Sequence, residues 1–150
     1  MQKGQAAIEF MFIILIVIIY LSTVVIPLTN DSKNAINDVD SISRANNETQ
    51  KIVNAIQRVS SFGEGTKETV VLIVPQKTNI ICLDKNISFR VELTSTPYPA
   101  QCPTGNCTKT FLLPQNQTMD CRNPIVIGPV KTKIVIEKSA GNQIIFTQIH

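Results

Sequence analysis

The sequence predicts an α+β protein: a long N-terminal hydrophobic helix followed by a small antiparallel β-rich head with a disulfide-held loop. Three observations carry that prediction. Residues 10 to 30 hold no charged side chain, a run long enough to cross the ~30 Å hydrocarbon layer of a bilayer as a helix. Apolar residues then recur at helical spacing as far as Phe62, after which the spacing changes to the alternation of a sheet. All four cysteines fall beyond that change, three of them in a window from 95 to 124 that also holds five of the eight prolines.

The first element covers residues 5 to 28, with Glu9 as its single charge. A cleavable secretion signal fits it badly. Such a signal has basic residues, an apolar stretch of roughly 7–15 residues and then small residues, whereas Gly4, Ala6 and Ala7 precede the apolar run here. A carboxylate deep in hydrocarbon costs about 2.5–3.5 kcal/mol on insertion scales, so Glu9 calls for a partner or a shallow position. Either it pairs with an amino group, or it snorkels among headgroups near the chain start. Lys3 is the only basic side chain ahead of the span, which favours a cytosolic N-terminus and an external C-terminus.

The stretch Gln2, Lys3, Gly4, Gln5, followed by Ala6, Ala7, Ile8, Glu9, Phe10 and the apolar helix, resembles the archaeal type IV pilin-like proteins with a class III signal segment. The resemblance covers about 30 residues. It implies that residues 1 to 4 are removed by a prepilin peptidase cutting between Gly4 and Gln5. The helix would then stay on the mature subunit, with Gln5 and Glu9 at the assembly contact. It further implies identical or related pilin subunits and the filament assembly machinery as partners. Membrane lipid would surround the chain before assembly, and a surface filament would hold it afterwards. In low dielectric, pairing of Glu9 with the Gln5 ammonium of a neighbour would set register even with a small net energy. Cyclisation of an N-terminal glutamine would remove that charge.

Residues 29 to 62 form the next predicted element, an amphipathic extension whose stripe runs through Ile36, Val39, Ile42, Ile52, Val53, Ile56, Val59 and Phe62. Pro27 removes a helical donor, and Asn30, Asp31 and Ser32 have the chemistry to cap a fresh start. A continuous helix from 5 to 62 would reach about 87 Å, far beyond a bilayer core. Breaks near Pro27 or near Asn46 and Asn47 are the alternative.

Residues 63 to 150 form the predicted extracellular head. Gly63 and Gly65 suggest a hinge. Strands are expected at 69 to 74, 79 to 83 and 87 to 93, the last alternating Ile87, Phe89, Val91 and Leu93 with polar residues. A hairpin from 132 to 149 turns at residues 139 to 142. Residues 95 to 124 should be an irregular loop with one short strand at 108 to 113. In an exported head, Cys82, Cys102, Cys107 and Cys121 suit two disulfides in any of three connectivities. Pairing Cys102 with Cys107 and Cys82 with Cys121 is preferred. The spacings 20, 5 and 14 lack the paired knuckles of a four-thiolate zinc site, and no metal is expected.

Five glycosylation sequons begin at Asn30, Asn47, Asn86, Asn106 and Asn116. Asn106 and Asn116, read as loop residues, are the best candidates. No catalytic constellation is visible: His150 is the only histidine, and Glu9, Glu48, Glu64, Glu68, Glu92 and Glu137 are dispersed. No cofactor motif follows Gly63 and Gly65. With a formal charge of +3 and scattered basic residues, the chain has no nucleic-acid tract. The expected function is a structural subunit of a filament that supports adhesion or surface attachment. The alternatives are a minor pilin or pseudopilin, or a monomeric membrane-anchored extracellular binding module.

Overall fold

A computed structural model describes residues 3–83, 85–96, 98, 100, 102, 104–113, 118–121 and 125–149. One helical element dominates the N-terminal part: α1 (Lys3–Tyr20), a π-helical turn (Leu21–Val25) and α2 (Ile26–Ser61) follow without interruption. At 1.5 Å per residue this is about 88 Å of helix. The helix is continuous, and neither of the alternative breaks, near Pro27 or near Asn46 and Asn47, occurs. Ahead of Pro27 the helix widens, and the Ile26 N–H bonds to the Leu21 carbonyl, five residues back. That wider turn eases the proline ring past the carbonyl four residues before it, the contact that ordinarily kinks an α-helix.

Asn30, Asp31 and Ser32 do not cap a new start; they lie inside α2. The Ser32 hydroxyl instead donates backwards to the Leu28 carbonyl at 2.9 Å, as Thr23 does to Ile19 at 2.8 Å. Such back-bonding satisfies hydroxyls locally, which suits an apolar surround.

Among the described residues eight strands follow: β1 (Lys67–Val74), β2 (Thr78–Leu83), β3 (Asn86–Glu92), β4 (Asn106–Leu112), β5 (Thr118–Cys121), β6 (Ile125–Ile127), β7 (Val130–Lys138) and β8 (Gln143–Ile149). They form two four-stranded sheets, ordered β1-β7-β8-β5 and β4-β3-β2-β6. Pairing is antiparallel except between β5 and β8, which run parallel. The window from 95 to 124 is more regular than expected. The strand expected at 108 to 113 is present as β4, where Cys107 and Phe111 face inward beside the β3 residues Val91 and Ile87 and extend that sheet, and β5 is a second strand that was not expected.

The core lies between the sheets and the C-terminal half of α2. Ile52, Ala55, Ile56 and Val59 meet Val70, Leu72, Ile80, Ile87, Phe89, Ile134, Ile136, Ile144 and Phe146 there. Period 2 in the strands and period 3.6 in the helix point these residues to one interior. The predicted hinge at Gly63 and Gly65 is instead a pinned turn. The Gly65 N–H donates to the Lys138 carbonyl at 2.8 Å, and Lys138 Nζ donates to the carbonyls of Ser60 and Phe62 at 2.8 Å each. That ammonium caps the α2 C-terminus, where the helix carries its partial negative charge.

Candidate functional site: the apolar stalk and its junction with the head

Every large apolar side chain from residue 8 to residue 28 is exposed, from 38 % at Val25 to 72 % at Met11. None of the described residues covers this surface. Each such side chain gains about 1.5–3 kcal/mol when buried, so in water the bare segment would associate. The helix is long and apolar enough to cross a membrane. Glu9 is exposed and has no partner among the described residues. Gly4 and Gln5 lie in the first turns of α1, and the side chain of Gln5 is outside the described atoms.

The amphipathic stripe divides. Ile52, Val53, Ile56 and Val59 are buried and Ile42 packs against the core, whereas Ile36 and Val39 remain 69 % and 64 % exposed and Phe62 is exposed as well. Between the two regimes stands Asp38. It accepts four hydrogen bonds: from the Thr94 N–H and hydroxyl at 2.9 Å each, and from the Ser95 N–H and hydroxyl at 2.7 Å each. Burial alone would raise the pKa of Asp38, but the bonds from Ser95 and Thr94 together outweigh it and hold the carboxyl below its ordinary value.

Two turns further along the same helix, Asn46 Oδ1 accepts from Lys109 Nζ at 2.9 Å, and that ammonium sits 5.1 Å from the centre of the Phe111 ring. Glu48 then bridges Lys51 Nζ at 2.6 Å and the Ile73 N–H at 3.2 Å, filling a donor on the open edge of β1. Polar ties from α2 thus reach both sheets: Asp38 and Asn46 hold residues flanking or within the β3-β4 pair, and Glu48 holds β1. Sequence reading missed all three because their partners lie 25 to 63 residues away.

The cysteines pair as Cys82–Cys121 and Cys102–Cys107. The first joins β2 of one sheet to β5 of the other, across a separation of 39 residues. The second closes a short loop ahead of β4, where Gly105 adopts φ 74° and an added Cβ would sit 2.8 Å from the Tyr98 ring. No cysteine is left as a thiol.

The sequons occupy different settings. Asn30 and Asn47 are exposed on α2. Asn106 is exposed too, but at the start of β4 rather than in a loop. Asn86 is half-buried at the start of β3, and its Oδ1 is buried without a hydrogen-bond partner among the described residues. Asn116 and His150 lie outside the described residues. No protein-family model, curated protein or solved structure matches the chain.

Proposed function

We propose that the chain is a structural subunit of an archaeal type IV pilus-like filament, built through its N-terminal helix and serving adhesion or surface attachment. The observation that carries this reading is the change of environment along one helix. The same rod that is bare and apolar from residue 8 to residue 28 becomes core of the head from Ala45 to Val59. A rod of about 88 Å is nearly three times the ~30 Å hydrocarbon layer, so a membrane accounts for only part of it. Bundling with other copies accounts for the rest and gives the apolar face a permanent partner.

In this reading the peptidase frees Gln5, whose ammonium pairs with Glu9 of a neighbouring subunit. The disulfide-held head forms the outer surface, with Asn30, Asn47, Asn106 and Asn116 available to glycans, while the buried side-chain oxygen of Asn86 argues against that site. The chain has no catalytic role of its own.

The test compares wild type with Glu9→Gln in cells lacking any other copy, as the ratio of subunit in sheared filaments to mature subunit held in membranes. Wild-type filaments should contain a chain that begins at Gln5 and retains the apolar helix. Glu9→Gln should still be cleaved yet lower the ratio severalfold, because the neighbour's ammonium loses its partner. Release of a chain lacking the apolar run would sink the filament reading. An unchanged ratio would sink only the Glu9 pairing.

A further inference from the structure

On the outer face of the β4-β3-β2-β6 sheet the register gathers a polar cluster. Asn79 of β2 stands opposite Arg90 of β3 on one side and Ile127 of β6 on the other, and Glu92 stands opposite Asn106 of β4. Together with Lys77 they line an open cavity of about 330 Å³. That volume lies at the small end of ligand sites, about 300–1,000 Å³, and suits a single sugar ring.

Backbone hydrogen bonds tie down three of the lining residues, Lys77, Glu92 and Gly128. The Glu92 N–H donates to the Lys77 carbonyl at 2.9 Å, and the Gly128 N–H donates to the Thr78 carbonyl at 2.8 Å. Gly128 admits no side chain, since a Cβ would fall 1.9 Å from the Pro75 carbonyl oxygen. Lys77 is held at φ 55°, a left-handed conformation that is uncommon for a residue other than glycine.

Three charges line the cavity, and among the described residues none of Lys77, Arg90 and Glu92 forms an ion pair. Elsewhere on the same head, Arg58 pairs with Glu68 and Lys67 with Glu137. Opposite charges left unmatched around one concavity have their bonding capacity directed outward.

We propose that this cavity is a binding site for a carboxylate-bearing sugar, such as a uronic acid residue of a surface polysaccharide. The Arg90 guanidinium fork and the Lys77 ammonium receive the carboxylate. The carboxamides of Asn79 and Asn106 and the Glu92 carboxylate bond ring hydroxyls, while Ile127 takes an apolar ring face. Asn106 is also a sequon, so a glycan there and a sugar in the cavity exclude each other. The site does not depend on filament assembly and is measurable on the single subunit.

The test uses the full chain in detergent carrying Thr108→Val, which removes the sequon while keeping Asn106 and a β-branched residue in β4. Binding of glucuronate, glucose and acetate is followed through the backbone amide resonances of Arg90 and Ile127. Glucuronate should bind at least about tenfold more tightly than either fragment of its chemistry. Arg90→Gln and Lys77→Gln should each weaken it about tenfold, and Arg90→Lys should restore part of the loss. Glucuronate that does not bind, acetate that binds as well as glucuronate, or side-chain changes without effect would each overturn the proposal.

Discussion

Residues 8 to 28 and the second half of α2 are parts of one unbroken helix, yet they meet opposite surroundings. Ile16 and Ile52 are chemically identical, one 63 % exposed and the other wholly buried. The difference lies in what surrounds each side chain. Around Ile52 the helix carries small or wholly enclosed residues, Ala45, Thr49 and Ala55, and the strands contribute Val70, Leu72 and Ile87 to the same core. Around Ile16 the helix is apolar on every side, and the side chain is left exposed by every described residue. An amphipathic stripe finds its partner within the chain, while a helix apolar all round needs partners from outside it.

The comparison is sharpest when one substitution is made in both places. Ile52→Ala should destabilise the head by about 2–5 kcal/mol, because it removes a buried side chain and leaves a cavity. Ile16→Ala should leave head stability unchanged. Global hydrogen-exchange protection of the strand amides, measured on the full chain in detergent, reads both. Equal losses would mean that the two halves of the rod are not independent in the way their surroundings imply.

Replacing Cys82 and Cys121 together by alanine should cost about 2–4 kcal/mol in the same measurement, since this bridge closes 39 residues of chain and joins the two sheets. The counterpart pair Cys102 and Cys107 spans only 5 residues and should matter less. Intact mass before and after reduction checks the two bridges, which differ from four thiols by four hydrogens.

Asp38 lies where the two regions meet, and its effect should be smaller and dependent on pH. Its folded-state pKa lies below the ordinary value of 3.8. The stability it contributes is therefore full above that value and is lost as the pH falls through the lower, folded-state pKa. Asp38→Asn should lower stability near neutrality by about 1.5–3 kcal/mol, the scale of hydrogen bonds to a charged acceptor. It should also flatten the acid limb of the stability profile. An acid limb identical in wild type and variant would contradict the role given to the carboxylate.

The sequence made the two regimes legible because both are written in local periodicity. The charge-free run, the stripe from Ile52 to Val59 and the alternation of Ile87, Phe89 and Val91 needed no knowledge of distant contacts. Strands β5 and β6 were not visible. They have four and three residues, too few for an alternation to declare itself, and they are held by pairing with β8 and β2 from far along the chain. The continuity past Pro27 was also hidden, since it depends on the wider turn at Leu21–Val25 rather than on proline itself. The polar cavity was invisible for a related reason: Lys77, Arg90, Asn106 and Ile127 are gathered by sheet register, and sequence spacing carries no trace of it.

In the proposed filament, other copies of this chain cover the bare half of the rod. A photoreactive residue at Val17, 49 % exposed in the middle of the apolar segment, tests that directly in sheared filaments. Irradiation should join one copy to another through the apolar helices, giving a ladder of covalent oligomers, while the same residue at Leu112 on the outer edge of the head should give far fewer. Val17 adducts confined to lipid or detergent, with no chain-to-chain product, would contradict the account.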